Sequence, residues 1–94
     1  MASDYQHTAK ILKALSDPKR LQIVHMLTEK ELCAGAILEF FQVSQPTLSH
    51  DMKLLIESGL IVDRREGKRV IYSVNAEAAD ALMMELKRLL GNLS

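Results

Sequence analysis

Between Ser44 and Val74 the hydrophobic period changes once, from helical to alternating, and this restricts the fold more than any other feature. In "QVSQPTLSHDMKLLIESGL", Leu48, Met52 and Leu55 are spaced four and three apart and share one helical face. Ser44 is a good N-cap, its oxygen placed to accept from the N–H of Thr47. Pro46 falls in the first turn, where a missing N–H is tolerated, and Gly59 stops the helix. Two short β-rich runs follow, "LIVDR" and "RVIYSV". Val70, Tyr72 and Val74 alternate onto one side of the second run. Glu66-Gly67 lies between the runs, so they read as a hairpin.

The flanking segments are helical. "SDP" at Ser16 to Pro18 is a stop and restart, in which Asp17 caps and Pro18 takes the first helical position. Before it, Thr8, Ile11, Leu12 and Leu15 form one face; after it, Leu21, Val24 and Leu27 continue a second helix to about Thr28. A third helix runs from about Cys33 to Phe41, with Ile37, Phe40 and Phe41 apolar. The third and fourth helices, joined by the short "FQVS" turn, have helix-turn-helix proportions. The final helix, from about Glu77 to Leu90, spreads Ala78, Ala81, Leu82, Met83, Leu86, Leu89 and Leu90 around more than one narrow stripe. A partner helix accounts for that surface; wrapping around its own core is the alternative. The expected fold is mainly α with a β-hairpin wing, a winged helix-turn-helix of four helices, a hairpin and a last helix.

Length and composition bound the reading. Ninety-four residues make one domain, and 48% hydrophobic residues can bury a core. A domain of this size often gains stability by oligomerising. Twelve basic and 12 acidic residues balance, so any basic footprint is local. One cysteine, Cys33, excludes an intramolecular disulfide framework and fits a reducing cytosol. The polar start "MASDYQHTAK" has no apolar core of a signal peptide, and no apolar run suggests a membrane span. Cytoplasmic location, with no membrane partner, is the expectation.

Two surfaces suit double-stranded DNA. On the fourth helix Pro46, His50 and Lys53 lie roughly opposite the buried face, flanked by Thr47 and Ser49. Gln45 can pair with adenine, Ser and Thr can serve several bases, and the helix N-terminus can hold phosphate. The plain alternative is a solvated helix face. At the hairpin tip, "RREGKR" carries Arg64, Arg65, Lys68 and Arg69 against Glu66, four minus one, or +3 in a neutral chain. Cations there would make binding strongly salt-dependent. Asp51 points the other way: it weakens phosphate contact unless it faces aside, where a local hydrogen bond is open to it. The sequence does not choose between these.

Taken together, "LSDPKRLQIVHML", "ELCAGAIL", "VSQPTLSHDMKLLIESGLI" and "RREGKRVIYSV" resemble the ArsR/SmtB family of bacterial transcriptional repressors, from about Ala9 to Leu90. The resemblance implies a homodimer that binds an imperfect inverted repeat and blocks transcription. Its first and last helices would form the interface, here through Ile11, Leu12, Leu15, Leu82, Met83, Leu86 and Leu89. Ser44, Gln45, Thr47, Ser49 and His50 would face the major groove, Lys53 would lie near phosphates, and Arg64, Arg65, Lys68 and Arg69 would belong to the wing. "SHDMK" departs from the family pattern, which more often has a neutral or basic residue where Asp51 stands.

Many members of that family release DNA on binding metal. Where such a site reads "ELCVCDL", this chain reads "ELCAGAI": Cys33 matches the first thiol, while Gly35 and Ala36 replace its companions. Thiophilic metals want three or four soft ligands, and one thiol per subunit does not supply them. His7, on the first helix, could in principle join it, but nothing in the sequence brings the two together. The family's second site, on the last helix, lacks its Asp and His ligands, with Asn75, Glu77 and Glu85 in the region. No metal or cofactor is therefore expected, Cys33 reads as a packing residue, and the inducer is unknown. Two rivals stand beside the repressor: a winged-helix protein-interaction module, and a thiol- or metal-responsive repressor using Cys33. No nucleophile–base set or phosphate loop suggests an enzyme.

Overall fold

The computed structural model describes residues 2–91, with side chains from Tyr5. Eight elements follow in order: α1 (Ala2–Leu15), α2 (Pro18–Glu29), β1 (Leu32–Cys33), α3 (Ala34–Phe41), α4 (Gln45–Glu57), β2 (Ile61–Glu66), β3 (Arg69–Val74) and α5 (Ala76–Leu90).

Local chemistry sets most boundaries. Asp17 Oδ2 accepts from the Arg20 N–H at 3.0 Å, and Pro18 opens α2. Ser44 Oγ accepts from the Thr47 N–H at 3.3 Å to open α4. Asn75 Oδ1 accepts from the Ala78 N–H at 3.2 Å to open α5. Gln42 ends α3 in the left-handed region at φ 53°, its N–H bonded to Leu38 O, which makes the tight turn into α4. At the end of α4, Gly59 takes φ +87°, which a side chain would disfavour. Buried Ser58 closes that turn by donating to Leu55 O and accepting from the Leu60 N–H.

The wing is longer than the hydrophobic pattern suggests. Arg65 and Glu66 pair as strand, and the turn is confined to Gly67-Lys68. The sheet also has a third strand that the sequence reading lacks. β1 pairs antiparallel with β3, Leu32 opposite Tyr72 and Cys33 opposite Ile71, giving the order β1-β3-β2. Two residues carry no period to detect; β1 exists because β3 offers a free edge. Cys33 is consequently the strand end and cap before α3, which starts at Ala34.

The core lies where the helices meet the sheet. Ile23, Ile37 and Leu55 are fully buried, with Leu48, Met52 and Ile61 nearly so. Val70, Tyr72 and Val74 share the sheet face turned to this core, as alternation predicts. On α2 the buried face runs through Ile23 and Leu27, whereas Leu21 is exposed. Of the expected face, Leu27 is buried and Val24 packs against the core, while Ile23 takes the place expected of Leu21. Phe40 is exposed too, edge-on to Phe41 with ring centroids 5.0 Å apart. Among the described residues no helix is long and apolar enough to cross a membrane.

Candidate nucleic-acid interface

The stripe Leu48, Asp51, Met52 and Leu55 faces inward on α4, at the i, i+3, i+4, i+7 spacing of a buried face. The opposite surface is left to Gln45, Pro46, Thr47, Ser49, His50 and Lys53, all exposed. It is free of bulky apolar groups. Ser44 is exposed as well, but its hydroxyl is engaged: it accepts from the Thr47 N–H and donates to Thr47 Oγ1 at 2.8 Å. Ser44 and Thr47 thus form one small polar unit at the helix N-terminus.

The four wing cations are exposed but not equivalent. Arg64 grips Glu31 with both ends of its guanidinium, at 2.7 and 2.8 Å, while its Nε donates to Glu66 at 2.9 Å. Hydrogen bonding from Arg64 holds the Glu31 carboxyl below the usual carboxylate range. A phosphate approaching Arg64 must therefore displace two carboxylates. Arg69 lies beside Cys33. The Arg69 guanidinium, then the Ala36 N–H, hold the Cys33 thiol below its ordinary value, although the sulfur makes no regular capping bond to α3. Glu31 carried no signal in the sequence, because the contact spans 33 positions.

Asp51 does not face the outward surface. It is buried, with Lys19 Nζ 2.8 Å from Oδ2 and Arg20 Nη1 donating to Oδ1 at 3.2 Å. The Lys19 contact is an ion pair without hydrogen-bond geometry. The carboxylate thus faces aside, as the second alternative had it, but its partners lie on α2, 31 positions away for Arg20, and not in a local hydrogen bond. Its position three residues after Leu48 and four before Leu55 already carried that phase.

At the other end, α1 and α5 leave apolar side chains in solvent: Tyr5, Leu12, Met83, Met84, Leu89 and Leu90. Between them runs a groove of about 360 Å³ lined by His7, Thr8, Ile11, Ala78, Ala81, Leu82 and Glu85. Of the residues expected at an interface, Leu12, Met83 and Leu89 are exposed. Ile11 and Leu82 are instead buried inside the protomer, and Leu15 and Leu86 are partly buried against its core. Their apolar area already faces their own chain. Among the described residues no group of three or more His, Cys, Asp or Glu could hold a metal ion.

Over 82 residues the chain is 46% identical to the arsenical resistance operon repressor of Staphylococcus xylosus, covering 87% of this chain and 79% of that one. The chain belongs to the arsR family of bacterial regulatory proteins. The profile of that family matches residues 17–62, from the cap of α2 into β2. Transcriptional repressor SdpR of Bacillus subtilis is 38% identical over 65 residues, covering 69% of this chain and 72% of that one. Among solved structures, HlyU from Vibrio cholerae superposes with a TM-score of 0.76 at 31% identity, covering 95% of this chain and 97% of that one. The homodimeric winged helix-turn-helix DNA-binding domain Mb0332 from Mycobacterium bovis superposes with a TM-score of 0.78 at 28% identity, covering 99% and 87%. The arsR-family chain described above is accordingly a winged helix-turn-helix, with the β2–β3 hairpin as wing.

Proposed function

We propose that this arsR-family chain is a homodimeric transcriptional repressor that binds an inverted-repeat DNA operator. One observation carries the reading: the capped N-terminus of α4 presents Gln45, Thr47, Ser49 and His50 to solvent, on the same fold as a wing bearing Arg65, Lys68 and Arg69. In this reading Ser44, Gln45, Thr47, Ser49 and His50 enter the major groove and Lys53 lies near phosphate. Arg65, Lys68 and Arg69 reach the backbone, with Arg64 as a weaker contributor. Two-fold symmetry sets the two reading helices about one DNA turn, ~34 Å, apart. The exposed apolar residues of α1 and α5 supply the dimer face. The arsenical resistance operon repressor and SdpR, both repressors, agree with this assignment. The test is a gel shift with the chain's own promoter DNA across salt concentrations. Absence of any salt-sensitive complex would leave a winged-helix protein-interaction module as the better reading.

Two substitutions separate base reading from backbone contact. Gln45→Ala or Ser49→Ala should lower discrimination between operator and random DNA by ~1–3 kcal/mol if that side chain reads a base. A uniform loss of affinity would assign it to the backbone. Arg65→Ala should reduce the salt slope of binding by about one phosphate's worth. Arg64→Ala should change it less, because Glu31 and Glu66 already neutralise that guanidinium. An equal effect at both positions would show that the two carboxylates let Arg64 go on binding.

A thiol-responsive version of this reading would act through Cys33, which lies beside Arg69. Titrating the DNA complex with arsenite, zinc, cadmium and copper(I), for wild type and Cys33→Ser, tests it. Release by one of them in wild type alone supports sensing through Cys33; identical curves reject it.

A further inference from the structure

Asp51 is the charged member of an otherwise apolar stripe, and both its partners, Lys19 and Arg20, come from the first turn of α2. Its side chain is 6% exposed, against 15% for Arg20 and 27% for Lys19. The Arg20 guanidinium makes two different bonds: Nη1 donates to Asp51 on α4, and Nε donates to the Ala14 carbonyl at 2.7 Å. That carbonyl belongs to the last turn of α1, where helical partners run out. One side chain thus ties α1 to α4 through the first turn of α2, and the Asp17 cap holds its backbone in place.

This arrangement is a poor way to gain stability. Lys19 and Arg20 put positive charge at the positive end of the α2 dipole, and Asp51 must lose water to offset it. A well-packed apolar set is often as stable as a buried ion pair. What directional bonds add is orientation. An apolar stripe lets a helix roll slightly on its core, whereas a carboxylate held by two cations does not. Side chains that must meet a partner in one geometry have to be held within about 0.5 Å and 10–20°.

We propose that Arg20 and Asp51 are positioning residues, whose bridge from the Ala14 carbonyl to α4 sets the roll of the reading helix and thereby the discrimination among DNA sequences. The inference rests on the DNA-binding reading above. Because α1 also carries exposed Leu12 and Tyr5 of the proposed dimer face, the same guanidinium fixes how each reading helix sits relative to the two-fold axis.

The test uses the full chain and two duplexes of equal length: the tightest one that wild type selects from a random library, and an unselected one. Arg20→Lys keeps the charge but lacks the planar fork needed to reach both acceptors. Arg20→Met/Asp51→Leu removes both charges together, which avoids leaving a buried charge alone. In each variant the ratio of the two dissociation constants should fall by about tenfold or more, as much as one mismatched base pair costs. Affinity for the unselected duplex, dimerisation and the melting midpoint should stay close to wild type. A ratio within twofold of wild type in either folded variant overturns the inference, as does a parallel loss on both duplexes. Failure of both variants to fold also overturns it, since the bridge would then serve the fold itself. A wild-type chain that selects no duplex is a separate outcome, which removes the DNA-binding reading.

Discussion

Met83→Asp is expected to leave the protomer folded, convert dimers to monomers and lower operator affinity by about 100- to 10,000-fold. Met83 is 56% exposed on α5, so an isolated protomer tolerates a carboxylate there. At a two-fold apolar interface the same carboxylate would be buried without a partner, at a cost of several kcal/mol. Two half-sites bound by one dimer benefit from high effective concentration; two monomers lose it without any change in the reading helix. Sedimentation equilibrium and a DNA titration on the same samples check both halves. A variant that stays dimeric at wild-type concentration dependence would move the interface away from α5. The choice of position matters: Leu82, one residue earlier, is 8% exposed within the protomer, and charging it would report on folding instead. Leu86 is compromised in the same way, because it already packs against its own core.

Asp51→Ala is expected to destabilise the chain by about 3–5 kcal/mol, with the lower end favoured. Removing the carboxylate leaves Arg20 largely enclosed with one of its two acceptors gone, and Lys19 without its counter-ion. Lys19 can turn to water, which moderates the loss. Replacing Arg20 and Asp51 together by Met and Leu should cost much less, because no charge is then stranded beside an empty place. Thermal unfolding at a fixed protomer concentration makes the comparison, since any dimer makes the midpoint concentration-dependent. A domain of this size shifts by ~4–8 °C per kcal/mol, so the single and double variants should be well resolved. Equal midpoints would mean that Asp51 is held by packing and not by its ion pairs.

Several features were legible because their causes are local. The caps at Asp17 and Ser44 act on N–H groups three residues away. The stops at Gly59 and Gly67 follow from positive φ. The inward stripe of α4 and the alternation of Val70, Tyr72 and Val74 follow from periods of 3.6 and 2. The fold class and the exposed polar surface of α4 came from these alone. The direction of α2 was read less well. Its apolar residues spread around the helix, and only packing against neighbours selects Ile23 over Leu21.

The order of the helices and the hairpin, most of their caps and the residues that face outward on α4 and at the wing tip were therefore legible along the chain. Each depends on chemistry within a few residues. Tertiary structure alone decided the rest. β1 forms only because the β3 edge arrives beside Leu32 and Cys33. Arg64 is restrained by Glu31, 33 positions away, and Asp51, inward by its helical phase, meets its cations Arg20 and Lys19 only in the folded chain. Ile11 and Leu82 belong to the protomer core, while Leu12 and Met83 stay exposed on it. In each case a charge or an apolar face had many partners open to it along the chain, and folding selected the few that came within reach.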